Sequence, residues 1–260
     1  MSHVNNAGLA CVSVSVSVPG RTLVENLDLE ICAGEVLAVL GPNGVGKSLT
    51  LHTLAGLRAA DEGTTSLDGH AVTELSRQRV ATRLALLPQY VEDVFPASVF
   101  DTVMIGRHPH IPRFQWETGR DRNIAQEALR MVDLGDMAQR DISSLSGGER
   151  RRLAIAQVLT QSPDIYLLDE PTNHLDPQHQ LDVLRIFRDK AASGAAVVAS
   201  LHDVNLAARF ADKCLLLYGD GRWELDASMA VLTEERLTEL YATSMETVSW
   251  RDTNLFVAAG

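Results

Sequence analysis

The stretch that most constrains this chain is EVLAVL followed at once by GPNGVGKS, residues 35–48. A short unbroken apolar run suits a strand buried on both faces. The next eight residues, Gly41, Pro42, Asn43, Gly44, Val45, Gly46, Lys47 and Ser48, fit G-x-x-x-x-G-K-[ST], and helical spacing follows Ser48. The order strand, glycine loop, helix fixes a chemistry as well as a local fold. Glycines let backbone N–H groups curl around phosphate oxygens, and the helix N-terminus adds its positive dipole end. Lys47 is then set to neutralise the β- and γ-phosphates of a nucleotide, and the Ser48 hydroxyl to bind Mg²⁺. The alternative is a glycine turn with a chance lysine, and the strand and helix on either side argue against it.

The rest of the chain alternates in the same way. VSVSVSV (Val12–Val18) reads as a half-exposed strand and LVENLDLEI (Leu23–Ile31) as another, while IYLLD, AAVVASL and KCLLLY read as buried strands. Helical spacing recurs in Arg120–Asp133, Gly147–Gln161, Gln178–Ala192 and Thr233–Ala242. Buried strands alternating with helices predict an α/β fold, a parallel or mixed sheet with helices on its faces. From Val91 to Thr160 strand signals are scarce, which predicts a mainly helical insertion. IYLLDE ends in two carboxylates. Asp169 at the strand end can hold Mg²⁺, and Glu170 can act as general base toward an attacking water. Alone, such an ending is usually a strand leaving the core; beside a phosphate loop it gains chemical meaning.

Composition narrows the partners. With 260 residues, 45% of them hydrophobic, the chain can build one α/β domain with a sub-domain. A formal net charge of -11 argues against a general affinity for nucleic acid or anionic membranes. Cys11, Cys32 and Cys214 show no CxxC spacing and read as buried thiols of a reducing compartment. No signal peptide is evident, and no stretch nears the roughly 18 apolar residues of a membrane helix. The expected location is cytoplasmic, with a partner holding the chain at any membrane it serves.

LSGGERRRLAIAQ (Leu145–Gln157), lying between the phosphate loop and the DE pair, resembles the signature of ABC-type ATPases. The resemblance runs from about Val12 to Tyr241. It implies a P-loop NTPase core with a mixed or parallel sheet, an N-terminal antiparallel β portion and a helical sub-domain. The divisions expected are 1–90 and 161–225 for the two parts of the core, 91–160 for the sub-domain and 226–260 for a helical tail. It also implies ATP and Mg²⁺ as ligands and roles for matching positions. Gln89 would reach Mg²⁺ and the attacking water, and His202 the γ-phosphate. Ser146, Gly147, Gly148, Glu149 and Asp176 would contact the ATP held by a second, head-to-tail copy. Taken alone, LSGGE is also a fair helix cap.

Two positions depart from the family pattern. Val18 stands where an aromatic residue usually stacks on adenine, so weaker adenine affinity or looser base selectivity is expected. Leu49 stands where threonine usually touches the α-phosphate.

TVMIGRHPHIPRF (Thr102–Phe114) and DEPTNHLDPQHQLDVL (Asp169–Leu184) resemble ATPases of iron–siderophore, haem and cobalamin importers. That resemblance implies transmembrane permease subunits, a periplasmic substrate-binding protein and a place at the cytoplasmic face of the inner membrane. An iron chelate or haem ranks ahead of cobalamin. The alternatives are a soluble ABC ATPase without a transport role, a nucleotide switch without turnover, and the ATPase of another transporter class. The segment RHPHIPRFQWETGR (Arg107–Arg120) carries His108 and His110, but no third ligand at a recognisable spacing for a metal. Its prolines, arginines and aromatics read instead as a permease-contact surface centred on Arg107 and Phe114.

Overall fold

The structure, a computed structural model, describes residues 7–90, 96–251 and 253–259. In chain order, β1 (Ala7–Val18) and β2 (Arg21–Cys32) form a hairpin, and β3 (Val36–Leu40) leads through the phosphate loop into α1 (Lys47–Leu54). β4 (Glu62–Leu67), β5 (His70–Ala71), α2 (Arg77–Arg83) and β6 (Leu84–Leu87) follow. Next come α3 (Val99–Met104), α4 (Gly119–Met131) and α5 (Gly147–Gln161), joined by short 3₁₀ turns. Then β7 (Ile165–Leu168), α6 (Pro177–Ala192), β8 (Ala196–Ser200), α7 (Val204–Phe210) and β9 (Lys213–Leu217) complete the alternation. β10 (Trp223–Ala227), α8 (Ser228–Val231), α9 (Glu234–Tyr241), β11 (Met245–Trp250) and β12 (Thr253–Ala258) close the chain.

Among the described residues these strands make three sheets. The central one has the order β10-β9-β3-β8-β7-β6. It is parallel from β9 to β6, and β10 is an antiparallel edge. The second, β2-β1-β4-β5, is antiparallel throughout, and β11 pairs β12 as a hairpin. This is the α/β fold with a mixed sheet and an N-terminal antiparallel portion that the sequence predicts.

β3 shows why its run is unbroken. Val36, Ala38 and Leu40 face one core, with helices α3 to α7, while Leu37 and Val39 face the other, with the antiparallel sheet and α1. Both faces of the strand are dry, so every position is apolar.

Three details differ from the sequence reading. Strict alternation in Val12–Val18 does not hold, because the register shifts between Cys11 and Val14 and Ser13 takes φ 49°. The bulge inserts one residue, so Leu9 and Cys11 point inward, Val12 is 63% exposed, and Val14 and Val16 return to the core. The tail read as helical over 226–260 is helical only in α8 and α9; the METVSW and TNLFVA segments alternate and pair as a hairpin. Cys11 and Cys214 are buried, and burial pushes their thiols up to about 12 and about 11, whereas Cys32 is only half-buried. The boundary expected at Val91 lies outside the described residues. From 96 to 161 the chain carries helices and a single isolated bridge, Ser98 to Asp141.

Candidate nucleotide site

The carboxyl ends of β3, β8, β7 and β6 lie side by side, and the loops leaving them share one edge of the sheet. That edge is where ligands bind in open α/β sheets. It brings together the loop after β3, Pro88 and Gln89 after β6, Asp169 and Glu170 after β7, and Leu201 and His202 after β8. A cleft of about 600 Å³ opens there. Of the residues singled out in the sequence, Val18, Asn43, Gly44, Gly46, Lys47, Ser48, Leu49, Gln89, Glu170 and His202 line it.

The loop's shape depends on glycine at two points. Gly41 has φ 148°, and a Cβ there would stand 2.4 Å from the Leu217 carbonyl oxygen. Gly46 has φ 107°, caps α1, and lies so close to Leu23 that a Cβ would meet its side chain at 3.1 Å. Pro42 is half-buried and Val45 buried, so these two, with Gly41, frame the loop without lining the cleft. Lys47 is buried and donates from Nζ to the Gly41 and Pro42 carbonyls at 2.7 and 3.0 Å. An ammonium has three N–H groups, so one is left for a phosphate. Burial lowers the Lys47 pKa, and the charges of Glu170 and Asp169 work against that shift.

The second group centres on Glu170. Gln89 Nε2 donates to Glu170 Oε2 at 2.8 Å, Asn173 Nδ2 donates to the same oxygen, and His202 Nε2 meets Oε1 at 2.7 Å. The Glu170 backbone is left-handed, φ 50°, and its N–H donates to Ser200 Oγ at 2.8 Å. Ser200 in turn donates to Asp169 Oδ1 at 2.6 Å. Asp169 Oδ2 is buried with no hydrogen-bond partner. A buried carboxylate oxygen without a donor is costly to retain, and a cation or its water shell resolves it.

Some residues stand elsewhere. Ser146 caps α5: its hydroxyl accepts from Glu149 N at 3.3 Å, and Glu149 Oε2 accepts from Ser146 N at 2.7 Å. This is a capping box, so LSGGE does cap a helix. Gly147 opens the helix, and Gly148 lies against the loop after Glu170, where a Cβ would be 3.2 Å from the His174 carbonyl oxygen. Asp176 caps α6 through His179 N at 3.0 Å. None of these five lines the chain's own cleft.

The reading of Arg107 as a contact surface is wrong. Arg107 is 8% exposed, and its guanidinium donates to Asp121 Oδ1 at 2.8 Å and to the Thr160 carbonyl at 3.0 Å. It pins its segment to α4 and α5. His110 Nε2 contacts the Gln161 carbonyl at 2.7 Å. Phe114 and Trp116, by contrast, are 93% and 87% exposed. Sequence reasoning also passed over Arg21, Tyr90 and Asn173, which line the cleft, and Ser200 and Arg151, which lie behind it. Asn173 sits within the quoted PTNHLD motif; Ser200 is concealed in a buried strand, where nothing in the pattern marks it.

A strand-loop-helix phosphate cradle, backed by a carboxylate pair at the end of β7 two strands along the same sheet edge, defines a P-loop nucleotide hydrolase. Residues 24–173 match the ABC transporter family model. The chain is 41% identical over 245 residues to the hemin import ATP-binding protein of Rhodopseudomonas palustris, covering 91% of this chain and 88% of that one. It is 38% identical to the cobalamin import ATP-binding protein of Halobacterium salinarum, over 88% of this chain and 57% of that one. Among solved structures it superposes on a metal-chelate type ABC transporter seen in an inward-facing conformation, with TM-score 0.84, 29% identity, and coverage of 97% and 98%. A bacterial ABC transporter cassette solved as a dimer gives TM-score 0.72 at 27% identity, covering 83% of this chain and 97% of that one. The chain therefore belongs to the ABC transporter family and is an ATPase whose hydrolysis is coupled to transport.

Proposed function

We propose that this chain powers a bacterial importer of metal chelates, with an iron chelate or haem ahead of cobalamin, and that ATP binds in the cleft at the sheet edge. The convergence of Gln89, Asn173 and His202 on Glu170 carries the catalytic reading. Three neighbours orient one carboxylate beside the phosphate loop, which is what a general base needs. Glu170 takes the proton of the attacking water as its oxygen closes on the γ-phosphorus, and ADP leaves in line. Lys47 and the loop N–H groups balance charge on the phosphates. Val18 and Leu49 lie along the nucleotide, and His202 reaches the γ-phosphate.

Ser48 Oγ, the side-chain amide oxygen Oε1 of Gln89 and the orphaned Asp169 Oδ2 are an all-oxygen donor set that fits Mg²⁺. When bound there, Mg²⁺ would supply positive charge that offsets the negative charge of the nucleotide's phosphates.

A second copy packs head to tail in this reading, and its Ser146–Glu149 segment and Asp176 complete the cage. The open edge of the cleft, with Asn43 and Gly44 exposed, leaves room for it. ATP binding closes the dimer and hydrolysis releases it. The helical stretch from about 91 to 160 acts as a sub-domain, and permease subunits hold the dimer at the cytoplasmic face of the inner membrane, with a periplasmic binding protein delivering substrate. No helix among the described residues is long and apolar enough to cross a membrane.

Glu170→Gln tests the chemistry. The variant is expected to trap an ATP-bound dimer with hydrolysis reduced at least 100-fold, within the contribution general-base catalysis makes, about 10²–10⁴. Hydrolysis at the wild-type rate would remove Glu170 from that role. Co-purification with a multi-helix permease, and loss of growth on haem as sole iron source when the subunit is deleted, test the transport assignment.

A further inference from the structure

We infer that Arg151, the middle arginine of GERRR, is a positioning residue for ATP hydrolysis that ties the backbone of Gln89 and Glu170 to α5. It rests on the roles proposed above for those two residues.

Three successive arginines on a helix point about 100° apart, and here each goes to a different place. Arg150 donates to the Leu145 and Ser143 carbonyls, and Arg152 to those of Val132 and Asp133. Arg151 turns inward and is 5% exposed. A guanidinium has five N–H donors in a fixed planar fork. All five find backbone carbonyls: Nη1 donates to Pro88 at 2.7 Å and Gln89 at 3.3 Å, Nη2 to Asp169 at 2.5 Å and Glu170 at 2.8 Å, and Nε to Pro171 at 3.4 Å. The segments leaving β6 and β7 are thus held by one side chain from a third element.

The acceptors are all main chain, so the carboxylates of Asp169 and Glu170 stay free of this arginine's hydrogen bonds. The left-handed Glu170 is gripped at both ends, its N–H on Ser200 Oγ and its carbonyl on Arg151. A non-glycine residue in that region is strained and persists only where its surroundings hold it. Burial lowers the Arg151 pKa to about 10, against the pull of Asp169 and Glu170, so the group remains a cation at neutral pH. Burying a charge with no carboxylate bonded to it is expensive, and the full set of carbonyl acceptors is what sustains it. Because α5 begins at the Ser146 cap, Arg151 links the Gln89 and Glu170 carbonyls to the helix that the LSGGE segment opens.

The deciding variant is Arg151→Lys in the full chain, which keeps the cation but offers three donors without the planar fork. ATP affinity from calorimetry, kcat, KM and the melting temperature with and without ATP are measured. The expected result is kcat lower by tenfold or more, with affinity and KM within threefold and a melting temperature that ATP still raises. Ser200→Ala, which frees the other end of Glu170, should split kcat from KM in the same direction. An unimpaired kcat in Arg151→Lys, an equal fall in affinity and kcat, or a variant that no longer folds would each overturn the positioning role, the last assigning Arg151 to stability alone. Glu170→Gln keeps the failures apart. Full activity there rejects the general base, whereas an inactive Glu170→Gln beside a fully active Arg151→Lys rejects only the inference about Arg151.

Discussion

Two residues carry the sharpest single-site consequences. Val18 ends β1 at the cleft wall, where it offers an apolar surface but no ring. Stacking a base on an aromatic side chain contributes about 1–3 kcal/mol. Val18→Tyr is therefore expected to tighten ATP binding about tenfold, read by equilibrium titration; an unchanged affinity would place the base elsewhere. Asp121 is the second. Hydrogen bonds from Thr118, then Arg107, hold its carboxyl at about 2, below the ordinary 3.8. A depressed carboxylate stabilises the fold above its unfolded value and loses that contribution as pH falls through the folded one. The urea midpoint of the wild type should exceed that of Asp121→Asn at pH 7, and the gap should close between pH 4 and 2.

At the scale of elements, α5 organises the helical stretch from 96 to 161, packing on both α3 and α4. Gly106 lets the segment after α3 lie flat on it, since a Cβ there would stand 2.3 Å from the Gln157 carbonyl oxygen. Backbone cannot yield as a side-chain tip can. Gly106→Ala is expected to cost about 1–3 kcal/mol of stability, the usual range for overpacking, and to lower ATP hydrolysis because α5 also carries Arg151. A chemical melt and a phosphate-release assay on one preparation check both. The same helix shows the reach of sequence reasoning. Its span, Gly147–Gln161, is legible from apolar spacing and the Ser146 cap, yet GERRR reads as three equivalent arginines until the neighbouring chain turns are in place.

Across the whole molecule, the nucleotide cleft and the most exposed aromatics are separated. The cleft sits at the carboxyl edge of the central sheet, while Phe114 and Trp116 stand out from the stretch between α3 and α4 without lining it. Exposed aromatics of this size are depleted on ordinary surfaces and enriched where partners dock. Phe114→Ser with Trp116→Ser is expected to reduce permease co-purification while leaving ATP affinity unchanged; loss of nucleotide binding would tie the segment to the cleft instead. Arg107 belongs to the other side of that division. It holds α4 and α5 from within, and its loss would act through stability.

What the sequence determined alone was whatever depends on neighbours along the chain. The phosphate loop is eight contiguous residues whose glycines and lysine work through their own backbone, so the motif, the strand before it and the helix after it are readable directly. The same holds for the DE pair, the capping box and the alternation of buried strands with helices. Tertiary structure decided what depends on residues far apart. Gln89 meets Glu170 across 81 positions, and Ser200 meets Asp169 across 31, only because parallel strands leave their loops at one edge. It also decided which arginines are buried, since helical spacing gives a direction but not what lies there. The bulge at Ser13 belongs with these, because a left-handed residue within VSVSVSV is fixed by pairing across the sheet, and no local pattern announces it.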